Sequence, residues 1–299
     1  MILAETGALP QLFSPLWLIV AVVLCLPVCI AVFWRIGRWW ITDQPVPPPL
    51  QGALPPVRWP VWIGLLLFLG MYSLAPAISM GYRAAAEAHL LPWEPLPIPD
   101  ILSPGIFLGQ ILPPLAAIAL LTSRFGRGAA GAAGVRLGNP QAGVRHGVVA
   151  FAAMLPVCIG ALLATAVLLA LLHRVGLVPE LIAQHPILER VHESRDPWEL
   201  FLLVVQAFLV APVAEEFVYR GVLMMTLLKE IGIIGALVLS SAIFAVVHLP
   251  TEPQAVISLF LLGMALGYIA YRTRSLLAPI IAHALFNGLM IFGTLFGSP

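Results

Sequence analysis

A chain of 299 residues that is 61% hydrophobic, only 10% charged and of mean hydropathy +1.00 is too apolar to cover itself with a water-facing surface. Soluble domains carry about 25% charged residues, so lipid is the solvent this composition fits. The formal net charge of +1 excludes the basic field that nucleic-acid binding needs, and no nucleic-acid partner is expected. The three cysteines, Cys25, Cys29 and Cys158, sit inside apolar runs without zinc-site or disulfide spacing and read as small core residues.

Taken in chain order, apolar stretches of roughly 20 residues predict an all-α polytopic membrane bundle of about eight transmembrane helices. They fall near 14–34, 60–80, 101–122, 147–172, 198–228, 232–249, 255–271 and 276–296. The first has Glu5 before it and its first arginine, Arg35, after it, which is the reverse of a cleaved signal, so it is expected to be retained. The fourth, VVAFAAMLPVCIGALLATAVLLALL, carries no charge. Ten of the fifteen Lys and Arg residues fall in loops on one side and four on the other, a bias that places both termini outside. Localisation in the cell membrane is expected. The division is into N-terminal helices with Pro-rich connectors, 1–197, and a C-terminal region, 198–299, that carries the chemistry. Connectors at 45–60 and 92–99 are Pro-rich and resist helix, whereas 173–197 mixes charges and suits a short amphipathic helix at the membrane surface.

Several motif-like strings carry nothing. GRGAAG at 126–131 matches a dinucleotide fingerprint by letter but lies between membrane spans instead of in a βαβ unit. His192-Glu193 lacks the second histidine of a zinc-protease helix. Gly263 and Gly267 form a GxxxG pair that serves close packing. Asp43, Asp100 and Asp196 are all in loops, which argues against a paired-aspartate protease, and no GxSxG elbow supports a serine nucleophile.

Of 14 acidic residues, only Glu215 and Glu216 lie well inside an apolar span, in APVAEEFVYRGV. An intramembrane charge costs a few kcal/mol and therefore marks function by default. Glu216 and Arg220, at i,i+4, share a helix face and can pair. Glu215 is turned about 100° away and can face a cavity. Phe244 to His248 and His283 to Asn287 each place two residues on one face of later spans. Either histidine alone reads as a satisfied core residue. Two histidines and an asparagine after Glu-Glu-Arg are more economically explained by one shared polar pocket.

These three elements, EExxxR at Glu215–Arg220, FxxxH at Phe244–His248 and HxxxN at His283–Asn287, resemble the signatures of the CPBP intramembrane proteases. That family includes type II CaaX prenyl endopeptidases and the Abi-type bacteriocin-immunity relatives. The likeness covers roughly residues 198–296. It implies an intramembrane endopeptidase acting on a membrane-associated or lipidated peptide or protein, with membrane lipid as its other partner. It further implies Glu215 as general base assisted by His248, His283 and Asn287 as oxyanion donors, and Glu216, Arg220 and Phe244 as supporting residues. The family is often described as metalloproteases. Were zinc bound, Glu215, His248 and His283 would be its ligands. Water activation by Glu and His without a metal is favoured, because no separate carboxylate is evident as the base. The rival readings are a non-catalytic scaffold of the immunity type and a proton-coupled transporter using the same ionisable groups. One geometric difficulty stands. In straight spans His283 lies about 10 Å and His248 about 24 Å from the inner ends of their helices, at 1.5 Å per residue.

Overall fold

The computed structural model describes residues 15–41, 57–90, 103–126, 128–133, 139–178 and 186–296. Most of the Pro-rich connector at 45–60, all of that at 92–99, and Asp43, Asp100, Arg127, Arg136 and His185 lie outside the described residues. Every regular element among the described residues is helical. The order is α1 (Pro15–Ile41), α2 (Val61–Glu87), α3 (Pro104–Phe125), the short α4 (Gly128–Ala132), α5 (Pro140–Arg174) and α6 (Pro186–Glu193). A long run follows, made of α7 (Pro197–Val205), a π-turn (Gln206–Val210), α8 (Ala211–Glu216), a second π-turn (Phe217–Leu223) and α9 (Met224–Val247). α10 (Val256–Thr273) and α11 (Leu277–Phe296) close the bundle.

Among the described residues, six helices are long and apolar enough to cross a membrane, one of them the whole run Pro197–Val247. Only 17–39% of each apolar window is buried, so most of this hydrophobic surface points outward, which makes the chain an integral membrane protein. α1 contributes a shorter apolar stretch, Ile19–Arg35. The expected count of about eight is therefore matched only as six such helices.

The run Pro197–Val247 is not straight. Gly232 has φ 67° and ψ 179°, a backbone region open essentially to glycine alone, and the chain turns back there. The proof is a contact. The Arg220 guanidinium sits 4.5 Å from the centre of the Phe244 ring, whereas 24 residues of continuous helix would hold them roughly 36 Å apart. α8 and the end of α9 thus lie side by side, antiparallel, with the hairpin tip at Gly232.

The same logic removes the height mismatch between the two histidines. The turn before α11 does not lie level with Gly232. Arg274, Ser275 and Leu276 are buried, and a Cβ placed on Gly221 would lie 3.4 Å from Leu276 Cδ1 and 2.6 Å from the Ala133 carbonyl oxygen. The turns at Ala133 and at Arg274–Leu276 are recessed to the level of Gly221, about 16 Å from the hairpin tip. From Leu276 the helix rises about 10 Å to His283, close to the 8 Å from Gly221 back to Glu216. The recess brings the histidines to one level.

Small residues permit the close packing. Gly263 and Gly267 of α10 lie against Ser241 and Leu237 of α9, and Gly109 of α3 sits where a Cβ would come 2.4 Å from the Ala75 carbonyl oxygen. The amphipathic helix expected near 173–197 is present as α6. It packs inward, with Val191 buried beside Leu203, Ala207 and Ile291. Arg190 pairs with Glu199 at the start of α7, and Ser194 Oγ donates to the same carboxylate at 2.7 Å.

Candidate active site

Glu216 is completely buried and so is Arg220; Arg220 Nη1 donates to Glu216 Oε1 at 3.0 Å. The i,i+4 spacing on one face makes the pair, and burial makes both partners obligatory, because either charge alone would be uncompensated. The same Oε1 accepts from His283 Nδ1 at 2.9 Å, which ties α8 to α11. Arg220 Nη2 also reaches the Gly263 carbonyl at 3.4 Å, adding α10.

Phe244 is the platform beneath this network. It is fully buried under the Arg220 guanidinium, with ring centres 4.9 Å from His248 and 5.9 Å from His283. A cation over an aromatic face is attracted to its quadrupole, and more strongly where water is excluded. Tyr219 meets the other side of Phe244 edge-on at 5.1 Å.

Glu215, one residue earlier, emerges on a different side of α8. Its side chain is 30% exposed, and Oε2 lies 3.8 Å from His283 Nε2. His283 therefore spans the two glutamates, one ring nitrogen toward each. His248 closes the C-terminal end of α9 with Nδ1 2.7 Å from the Phe244 carbonyl. A carbonyl only accepts, so Nδ1 carries the hydrogen, and in the neutral ring Nε2 is the free base.

Asn287, on the same face of α11 as His283, donates from Nδ2 to the Ala207 carbonyl at 2.8 Å. That carbonyl needs a donor for a local reason. In the π-turn the Ala211 N–H goes to the Gln206 carbonyl, and Pro212 has no N–H to offer. Asn287 supplies what the proline removes, and its second N–H remains.

Glu215, His248, His283 and Asn287 all line one cavity of about 300 Å³ bounded by α5, α6, the first π-turn, α8, α9, α10 and α11. A second cavity of about 370 Å³, against Tyr72 and Pro76 of α2 and Pro114 of α3, shares Gln110, Glu215 and His248 with the first. Glu215 and His248 thus stand on the wall between two chambers. The zinc set Glu215, His248 and His283 does not gather. Among the described residues no three His, Cys, Asp or Glu side chains are placed to share a metal ion.

Sequence reasoning passed over Gln110, Gln206 and Glu252, which also line the first cavity. For the two glutamines the signal was present: each is an isolated amide inside an apolar span, which is expensive in lipid unless partnered.

The fold and cavity define a polytopic membrane protein with an acid–imidazole site enclosed by its C-terminal helices. Residues 197–289 match the model of the type II CAAX prenyl endopeptidase Rce1-like family, and this span holds all three motifs. No curated protein and no solved structure matches the chain.

Proposed function

We propose that the protein is an intramembrane endopeptidase that hydrolyses a peptide bond of a membrane-associated or lipidated substrate with water activated by Glu215. The observation carrying this reading is Glu215 itself, a partly exposed carboxylate on the wall between two chambers, 3.8 Å from His283 and sharing that wall with His248. Its neighbour Glu216 is consumed by structure. Glu215 has no such partner and is left for chemistry.

In the mechanism a water molecule gives its proton to Glu215, with His248 Nε2 assisting, and its oxygen attacks the scissile carbonyl carbon. Negative charge moves to the carbonyl oxygen. His283 as imidazolium keeps one N–H on Glu216 and offers the other, and Asn287 offers its second N–H, so both stabilise the oxyanion. Collapse of the intermediate breaks the C–N bond, and the proton held by Glu215 passes to the leaving amine. No step requires a metal.

The proposed topology has eight crossings, with α1 and both arms of the Gly232 hairpin each spanning, both termini outside, and the protein in the cell membrane. The test uses the detergent-purified full chain, a pool of farnesylated peptides randomised over the three C-terminal positions, and mass spectrometry in ¹⁸O water. The expected result is a new carboxyl terminus carrying one ¹⁸O atom, formed equally well after treatment with a chelator. Loss of the product on chelation would overturn the metal-free mechanism, and no cleavage of any pool member would overturn the protease reading.

A further inference from the structure

The motif residues are not the whole polar content of the cavity. Gln206 opens the first π-turn and is 1% exposed. Its Nε2 donates to Gln110 Oε1 at 2.7 Å across the gap from the π-turn to α3. Its Oε1 is buried and has no hydrogen-bond partner. Gln110 donates no hydrogen bond of its own among the described residues, and its side chain faces both chambers.

A buried amide oxygen without a donor is costly, so Gln206 Oε1, held beside the NH₂ of Gln110, calls for a partner that can serve both. The pair offers one vacant acceptor, Gln206 Oε1, and one vacant donor, the Gln110 NH₂. One residue of an extended peptide presents the complementary N–H and C=O on the same side. Charge agrees with a neutral partner. The residues lining the two chambers include the carboxylates of Glu215 and Glu252 and no Lys or Arg, so an anionic group is disfavoured.

We propose that Gln110 and Gln206 form a subsite for an extended substrate main chain, in which Gln206 Oε1 accepts the N–H of one substrate residue and Gln110 Nε2 donates to the carbonyl of that same residue. The idea rests on the protease reading for its substrate and deepens it. The Gln206 π-turn also presents Ala207, whose carbonyl Asn287 holds. The same bulge therefore sets both the positioning amide and the oxyanion asparagine, so main-chain binding and the reacting carbonyl are registered by one segment. Gln110 and Gln206 are positioning residues and touch no reacting atom.

The test is binding and turnover of the farnesylated pool by the full chain, paired with pools in which one backbone amide at a time is replaced by an ester. An ester has no N–H. At one position the replacement is expected to weaken binding to the wild type about fivefold to tenfold, the worth of one hydrogen bond. In Gln206→Leu the same replacement should have no further effect, while peptide affinity falls by a similar factor and the melting temperature stays close to wild type. If no ester position weakens binding to the wild type, the proposal is overturned. That arm needs no variant and stands even if Gln206→Leu does not fold. Equal amide-to-ester ratios in wild type and Gln206→Leu overturn it as well, and would mean that a bound water satisfies Gln206. Binding with this ester pattern but without cleavage would sink the protease reading and leave the subsite standing.

Discussion

Glu215 and Glu216 are adjacent and chemically identical, yet their surroundings divide their work. Glu216 holds Arg220 at 3.0 Å and His283 at 2.9 Å with no exposure, whereas Glu215 keeps 30% of its side chain open to the cavity. Arg220→Gln removes the guanidinium that pairs with Glu216 and leaves that buried carboxylate without it. A loss of about 3–5 kcal/mol is expected, read as a lower unfolding midpoint in detergent, even though Arg220 faces no substrate. The division was legible in the sequence, because i,i+4 spacing pairs Glu216 with Arg220 and the 100° step turns Glu215 aside. The company His283 keeps was not legible. That its two ring nitrogens face both glutamates depends on how three helices approach, which no local pattern encodes. Phe244 was legible only as part of a motif. Its contact with the Arg220 guanidinium supplies the physical reason for an aromatic ring four residues before His248.

At the scale of elements, the two π-turns decide where the site residues point, and sequence gave little warning of them. The one visible trace is Pro212, which removes the N–H that the shifted hydrogen-bond register would use for the Ala207 carbonyl. Asn287→Leu orphans that carbonyl and should cost about 1–3 kcal/mol of stability. In a Pro212→Ala background, residue 212 regains an N–H, and the cost of Asn287→Leu should shrink. Denaturation of the four proteins of this cycle measures the coupling, and equal costs in both backgrounds would show that Asn287 does not replace the missing donor. The break at Gly232 was better signposted. Sequence placed one span ending near 228 and the next beginning at 232, and the glycine lies in a backbone region its neighbours could not adopt without strain.

For the whole molecule, composition alone established the membrane environment, because 61% apolar residues leave no other solvent. Span positions followed from hydropathy to within several residues. Depth did not follow. Straight spans separated His248 from His283, and the recess of the turn at Arg274–Leu276 is what brings them level. That recess rests on small-residue contacts between distant segments, Gly221 with Ala133 and Leu276, which hydropathy cannot register. The bundle thereby places Glu215, two imidazoles and the amides of Gln110, Gln206, Gln254 and Asn287 around adjoining chambers. The most direct test of their purpose is the rate of peptide hydrolysis by Glu215→Gln beside wild type, with thermal unfolding followed in the same preparations. Hydrolysis reduced at least about a thousandfold at an unchanged unfolding temperature is the expected outcome, in keeping with loss of a general base at an otherwise intact site. Turnover at the wild-type rate by the folded variant would contradict it.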